Sequence, residues 1–209
     1  MKKLYSVMIA IMLIIIASSI ASAGLELSFY LGMRDGSNQS DGVIVRWYVE
    51  KNKKSDMIFE QLWKEQKWSD LFVVDLNSWG NETVTLNMTT DPGQARNTGW
   101  DWILIAEPKV TSNGNMVYDF AQAVAEGKVK LSMMLDGDKV ETEGLGFGAN
   151  CTQAEAGAVG GVTKPKAYMQ HPPWNGRTGN TIARFELQLP ASVKRIGNVS
   201  ATWGQIKIQ

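Results

Sequence analysis

From Val43 onward the chain sets apolar residues at every second position in short runs, and turn residues interrupt these runs about every eight to twelve positions. Val43, Val45, Trp47 and Val49 fall on one side of an extended segment, and Val84, Leu86 and Met88 on one side of another. Residues 181–189 set Ala183, Phe185, Leu187 and Leu189 against Ile182, Arg184, Glu186 and Gln188. A period of two belongs to a strand with one buried face, because successive side chains point to opposite sides. Many such strands joined by short turns pack into a sandwich or close into a barrel. Further strands are predicted over residues 25–32, 57–63, 71–76, 129–135, 139–142 and 199–208. Residues 115–127 break the pattern: Val117, Phe120, Ala121 and Val124 have helical spacing, with Asn115 placed to cap the start and Gly127 the end. The expected fold class is all-β with one short helix. Residues 143–160, rich in Gly and Ala, read as a long loop or linker.

The run from Asp91 to Pro108 is the most distinctive stretch. Asp91-Pro92-Gly93 and Asn97-Thr98-Gly99 are turn signals. Beyond them, Trp100 and Trp102 are expected on one face of an extended segment with Asp101 on the other, and Ile103, Leu104 and Ile105 continue as a buried run. Indoles beside carboxylates and amides suit a sugar site, where aromatic faces stack on rings and polar groups take hydroxyls. They equally suit a core, since Trp is highly buried on average.

Formal net charge is +0, which gives no support for a nucleic acid or an anionic membrane surface as partner. One Cys and one His, Cys151 and His171, exclude an intramolecular disulfide and a Cys/His zinc cluster. Residues 1–23 have the form of a signal peptide: Lys2 and Lys3, an apolar run from Met8 to Ile16, and Ala21-Ser22-Ala23 as a small-x-small cleavage signature. Cleavage after Ala23 leaves a mature chain from Gly24; an uncleaved membrane anchor is the alternative. A secreted or cell-surface location is expected. Five Asn-x-Ser/Thr sequons, at Asn38, Asn81, Asn87, Asn150 and Asn198, carry glycans only in a host that glycosylates exported proteins.

Several ordered motifs resemble the NPCBM-like group of galactose-binding-like jelly-roll carbohydrate-binding modules. They are Leu31-Gly32-Met33-Arg34-Asp35-Gly36-Ser37, Trp63-Lys64-Glu65-Gln66-Lys67-Trp68, Val74-Asp75-Leu76, and Thr90-Asp91-Pro92-Gly93 through Trp100-Asp101-Trp102 to Glu107-Pro108. The resemblance spans roughly residues 25–110. In that group's pattern, segments like Gly160-Gly161-Val162-Thr163-Lys164-Pro165, His171-Pro172-Pro173-Trp174 and Phe185-Glu186-Leu187 come before the Arg34-Asp35-Gly36 portion; here they follow it. Three explanations stand: a circular permutation with residues 160–190 supplying opening strands of one sandwich over residues 24–209, a truncated second repeat, or a gene fragment.

The resemblance implies a non-catalytic module whose partner is a carbohydrate or glycoconjugate, with ligand-binding candidates Arg34, Asp35, Trp100, Asp101, Trp102, His171 and Trp174. It also implies a structural Ca²⁺ as the one possible cofactor, with Asp35, Asp41 and Asp91 as loop oxygen donors; ordinary turn aspartates read the same way. Glycoside hydrolysis needs two facing carboxylates, and no spacing pairs Asp91, Asp101, Glu107 or Glu65. A nucleophilic Cys151 needs an adjacent base. A structural or protein-interaction module without a sugar site is the alternative, and a glycoside hydrolase-associated fragment the third reading.

Overall fold

A computed structural model describes residues 24–93, 96–135, 138–142, 151–154, 157–173 and 179–192. The expected signal peptide, the strand expected over 199–208 and the ligand-binding candidate Trp174 lie outside the described residues. The strands are β1 (Leu25–Met33), β2 (Val43–Lys51), β3 (Lys54–Trp63), β4 (Phe72–Asp75), β5 (Thr83–Pro92), β6 (Ile103–Ser112) and β7 (Asn115–Asp119). After helix α1 (Phe120–Ala125) come β8 (Lys130–Leu135), β9 (Asp138–Thr142), β10 (Thr152–Gln153), β11 (Ala167–Gln170) and β12 (Gly179–Gln188). Two antiparallel sheets result, in the orders β10-β11-β6-β1-β4 and β3-β2-β5-β12-β8-β9, with β7 also on β6. The molecule is an all-β sandwich with one short helix.

Turn chemistry sets the hairpins. Asn52 and Lys53 both have positive φ between β2 and β3, as do Asn113 and Gly114 between β6 and β7. Two successive left-handed residues make the two-residue turn whose twist matches paired strands. Elsewhere the chain crosses between sheets, from β1 to β2, β3 to β4, β4 to β5 and β5 to β6, so neighbours in sequence face one another across the core.

The alternation buries what it should. Val43, Val45, Trp47 and Val49 point inward from β2, Val84, Leu86 and Met88 from β5, and Leu25, Leu27, Phe29 and Leu31 from β1. β12 lies between β5 and β8, with Phe185 opposite Leu86 and Ala183 opposite Leu131. The late strand therefore ladders directly onto the early half of the chain. An aromatic centre joins the layers: Trp47 lies 5.7 Å from Phe29, 5.1 Å from Phe120 and 6.3 Å from Phe185, between ring centroids.

The helix is shorter than its spacing predicts. Residues 115–119 form β7, because the Asn113-Gly114 turn folds them back onto β6, pairing Val110 with Tyr118. Asp119, not Asn115, is the cap, accepting from Gln122 N at 3.1 Å. Gly127 does end the helix: with φ +68, its N–H bonds Val124 O at 3.1 Å and Lys128 N–H bonds Ala123 O at 2.8 Å. A strand the periodicity did not show, β11, lies in the Gly/Pro-rich region, pairing with residues 103–106 of β6.

Candidate functional site

At one end of the sandwich, residues 34–42 after β1 pack against residues 97–102 before β6, with Arg34 N–H bonding Trp102 O at 2.9 Å. Asp35 is committed here. Its carboxylate accepts from Gly160 N at 2.6 Å and Gly161 N at 2.9 Å, and its own N–H bonds Ala158 O at 2.9 Å. Both glycines are left-handed, so their successive amides converge on one anion. Asp35 thus latches the 157–164 loop over the outside of β6. Under that loop sits a small apolar cluster of Leu104, Val159 and Met169, with Trp68 and Trp102 packed on it. Replacing Asp35 with Ala is expected to cost about 1 kcal/mol and to speed amide exchange at Gly160 and Gly161. Unchanged exchange at those two amides would refute the latch.

Trp100 and Trp102 are not in a strand, which begins only at Ile103. Asn97 accepts from Gly99 N at 2.9 Å, and Trp102 N bonds back to Trp100 O at 3.0 Å, so the segment is a tight turn. Trp100 has φ +68, a conformation that is an outlier for a bulky side chain. The turn separates the two indoles. Trp102 packs inward, with the Arg34 guanidinium 5.2 Å from its ring centre. Trp100 stands edge-on to it, 5.5 Å away, and is 39% exposed.

Asp101 turns inward between them and is 0% exposed. Ser40 donates to its Oδ1 at 2.5 Å, while Oδ2 is buried with no partner among the described residues. Burial pushes its carboxyl up to about 7; the Ser40 hydrogen bond opposes the shift and the nearby Asp41 carboxylate adds to it. Asp101 is therefore part of the loop's interior, not a group offered to ligand.

His171 is also enclosed. Its N–H bonds Cys151 O at 2.8 Å and its Nδ1 lies 2.5 Å from Pro172 O. Burial, which disfavours the charged ring, lowers its pKa, against hydrogen bonds to the Pro172 and Thr98 backbone that favour charge. Thr181 Oγ1 donates to His171 O at 2.6 Å and Gln170 Nε2 to Thr181 O at 3.1 Å, tying β11 to β12 across the layers. Cys151 meets His171 through its backbone carbonyl, and its side chain is 1% exposed.

The three aspartates named as oxygen donors do not converge. Asp35 holds the glycine amides, and Asp91 pairs with Arg46, which also bonds Glu60 at 2.5 Å on the outer face of the other sheet. Asp41 stays at the rim, with Oδ1 buried and unpartnered among the described residues. No cluster of three or more His, Cys, Asp or Glu that could hold a metal occurs among the described residues. Of the sequons, Asn87 is buried and donates to Glu50 at 3.0 Å, so the folded chain presents no glycan acceptor there.

Sequence reading did not single out a seam halfway along β6. β11 pairs with β6 as far as Ala106, and β7 pairs from Lys109 onward, both on the same edge. Between them lie Glu107, with φ +50, and Pro108, which has no N–H to donate. Glu107 N–H bonds Lys166 O at 2.9 Å, and Lys166 is itself left-handed. On the opposite edge, the β1 ladder shifts register at the same place, between Ser28 and Tyr30. A cleft of about 280 Å³ opens at this gap. The Glu107-Pro108 pair was the available signal, since proline inside a strand marks an interruption.

No family model matches the chain, and no solved structure matches it. An uncharacterised protein of Archaeoglobus fulgidus is 30% identical over 78 residues, which cover 34% of this chain and 19% of that protein. The chain thus spans well under half the length of that relative.

Proposed function

We propose that this is an exported, non-catalytic recognition module that binds a carbohydrate at the rim, with Trp100 as the stacking face. The observation that carries the reading is Trp100 itself. A bulky residue in the left-handed region is disfavoured, and such conformations persist where the surrounding structure enforces them, often at binding sites. Here the result is a large ring held rigid by Trp102 and left open to solvent. Rigid, amphipathic aromatic area lost to a ligand at low entropic cost is what sugar stacking requires. Arg34, partly exposed over Trp102, supplies hydrogen-bond donors beside it. The NPCBM-like resemblance and the signal-like first 23 residues support the same reading, and Asp101 and His171 serve by shaping the loop.

A glycan array tests it. The full chain is expected to bind a defined set of glycans, and Trp100→Ala to weaken that binding more than tenfold, about 1.5–2 kcal/mol of apolar and aromatic contact. A folded protein that binds no glycan, or binds equally well without Trp100, sinks the reading. A protein-interaction module is the second reading, favoured by exposed apolar side chains on one edge strand of each sheet and its flank, Met57 and Leu62 on β3 and Leu71 and Val73 at β4. A negative array together with concentration-dependent self-association would select it.

A further inference from the structure

The β6 seam has the makings of a site separate from the rim. Its apolar lining is Pro108, Pro165 and Met116, the last 55% exposed. Its charged groups are Glu107, Lys109, Asp119 and Lys166. Both carboxylates are engaged. Asp119 accepts from Gln122 N at 3.1 Å and from Lys166 Nζ at 2.8 Å. Glu107 faces Lys164 Nζ at 3.8 Å, and that ammonium lies 3.6 Å from the centre of the Tyr30 ring. The cations are not used up. Lys109 has no ion pair among the described residues, and Lys166, more than half exposed, spends one of its three donors on Asp119. Two left-handed non-glycine residues, Glu107 and Lys166, hold the gap open where the strands would otherwise close. Bulged, strained backbone beside a cleft with apolar walls and a few convergent polar groups is how small-molecule sites are built.

We propose that this seam is a second binding site and that it takes a carboxylated sugar unit, a uronic acid. The carboxylate is received by Lys109 and Lys166, and a ring face rests on Pro108, Pro165 and Met116. The cleft's volume lies near the lower end for small-molecule sites, which suits one ring and not a chain. The choice of a sugar rests on the recognition reading above; the two lysine donors that would receive a carboxylate, and the size, come from the cleft itself.

The test is a titration of the full chain with D-glucuronate, D-glucose and sodium acetate, followed by backbone amide shifts at residues 107–119 and 164–167. Glucuronate is expected to shift these signals saturably, at least tenfold more tightly than glucose or acetate. Lys109→Gln is expected to weaken glucuronate about tenfold, as loss of a charge-assisted contact does, and Lys109→Arg to restore it. Met116→Glu, which sets a carboxylate on the open wall, is expected to block binding and serves if Lys109→Gln fails to fold. Trp100→Ala is expected to leave glucuronate binding unchanged, so a failed glycan array at the rim and a failed titration at the seam are separate results. Glucuronate that leaves these amides unmoved, or binds folded Lys109→Gln undiminished, overturns the site. Acetate or glucose binding as tightly as glucuronate overturns the uronic acid.

Discussion

Trp47→Ala is expected to lower unfolding stability by about 4 kcal/mol, the usual cost of emptying an indole from a packed core. Trp47 is fully buried at the point where both sheets and the helix meet, with Phe29 from β1, Phe120 from α1 and Phe185 from β12 around it. Three separately positioned rings cannot all move inward, so the cavity stays largely unfilled. Domains of this kind hold only about 5–15 kcal/mol in total. Trp47→Phe is expected to cost far less, because the indole N–H it removes meets no acceptor among the described residues. Denaturant unfolding of both variants measures this. An alanine variant within 1 kcal/mol of the parent, on the scale of a surface change, would show that Trp47 is not the centre of the fold.

Asp101 is expected to make the chain more stable in mild acid than in mild alkali, the reverse of an ion-paired carboxylate. Its pKa is raised from 3.8 to about 7 in the folded state by burial. The folded state therefore holds the proton more tightly than the unfolded chain. The contribution is fully present below pH 4 and is lost as pH climbs toward 7. At 1.36 kcal/mol per unit, the full swing over that range is about 4 kcal/mol. His171 works in the opposite direction: its folded pKa is lowered, so its contribution is present above the ordinary histidine pKa and is lost as pH falls below it. The two are separated by Asp101→Asn, which keeps the acceptor for Ser40 and carries no charge. Unfolding at pH 5 and pH 8 is expected to show the parent losing stability relative to the Asn variant as pH rises. Parallel profiles would mean that Asp101 titrates as an ordinary surface carboxylate. Asp101 lies between Trp100 and Trp102, so its ionisation is also expected to loosen the rim before the rest of the fold.

The parts of this molecule that rest on short-range periodicity were readable in advance. The inward face of β2, the alternation of β12 and the Gly127 helix end each depend on residues a few positions apart, and local geometry decides them. Asn115–Asp119 was misread because its apolar spacing fits a helix, while the Asn113-Gly114 turn before it commits the chain to a hairpin. No local signal could bury Asp101 or occupy Asp35. Those outcomes depend on Ser40 and on Gly160 and Gly161, which lie 61 and about 125 positions away. The seam beside Glu107 is more remote still from sequence, for it exists only because β7 and β11 arrive on the same edge of β6 and stop short of each other. Sequence by itself determined which strand faces are apolar and hence that the strands must stack into a sandwich or close into a barrel. Only the tertiary structure decided which polar side chains the loops enclose and which they leave to solvent, because desolvation depends on what the distant chain covers.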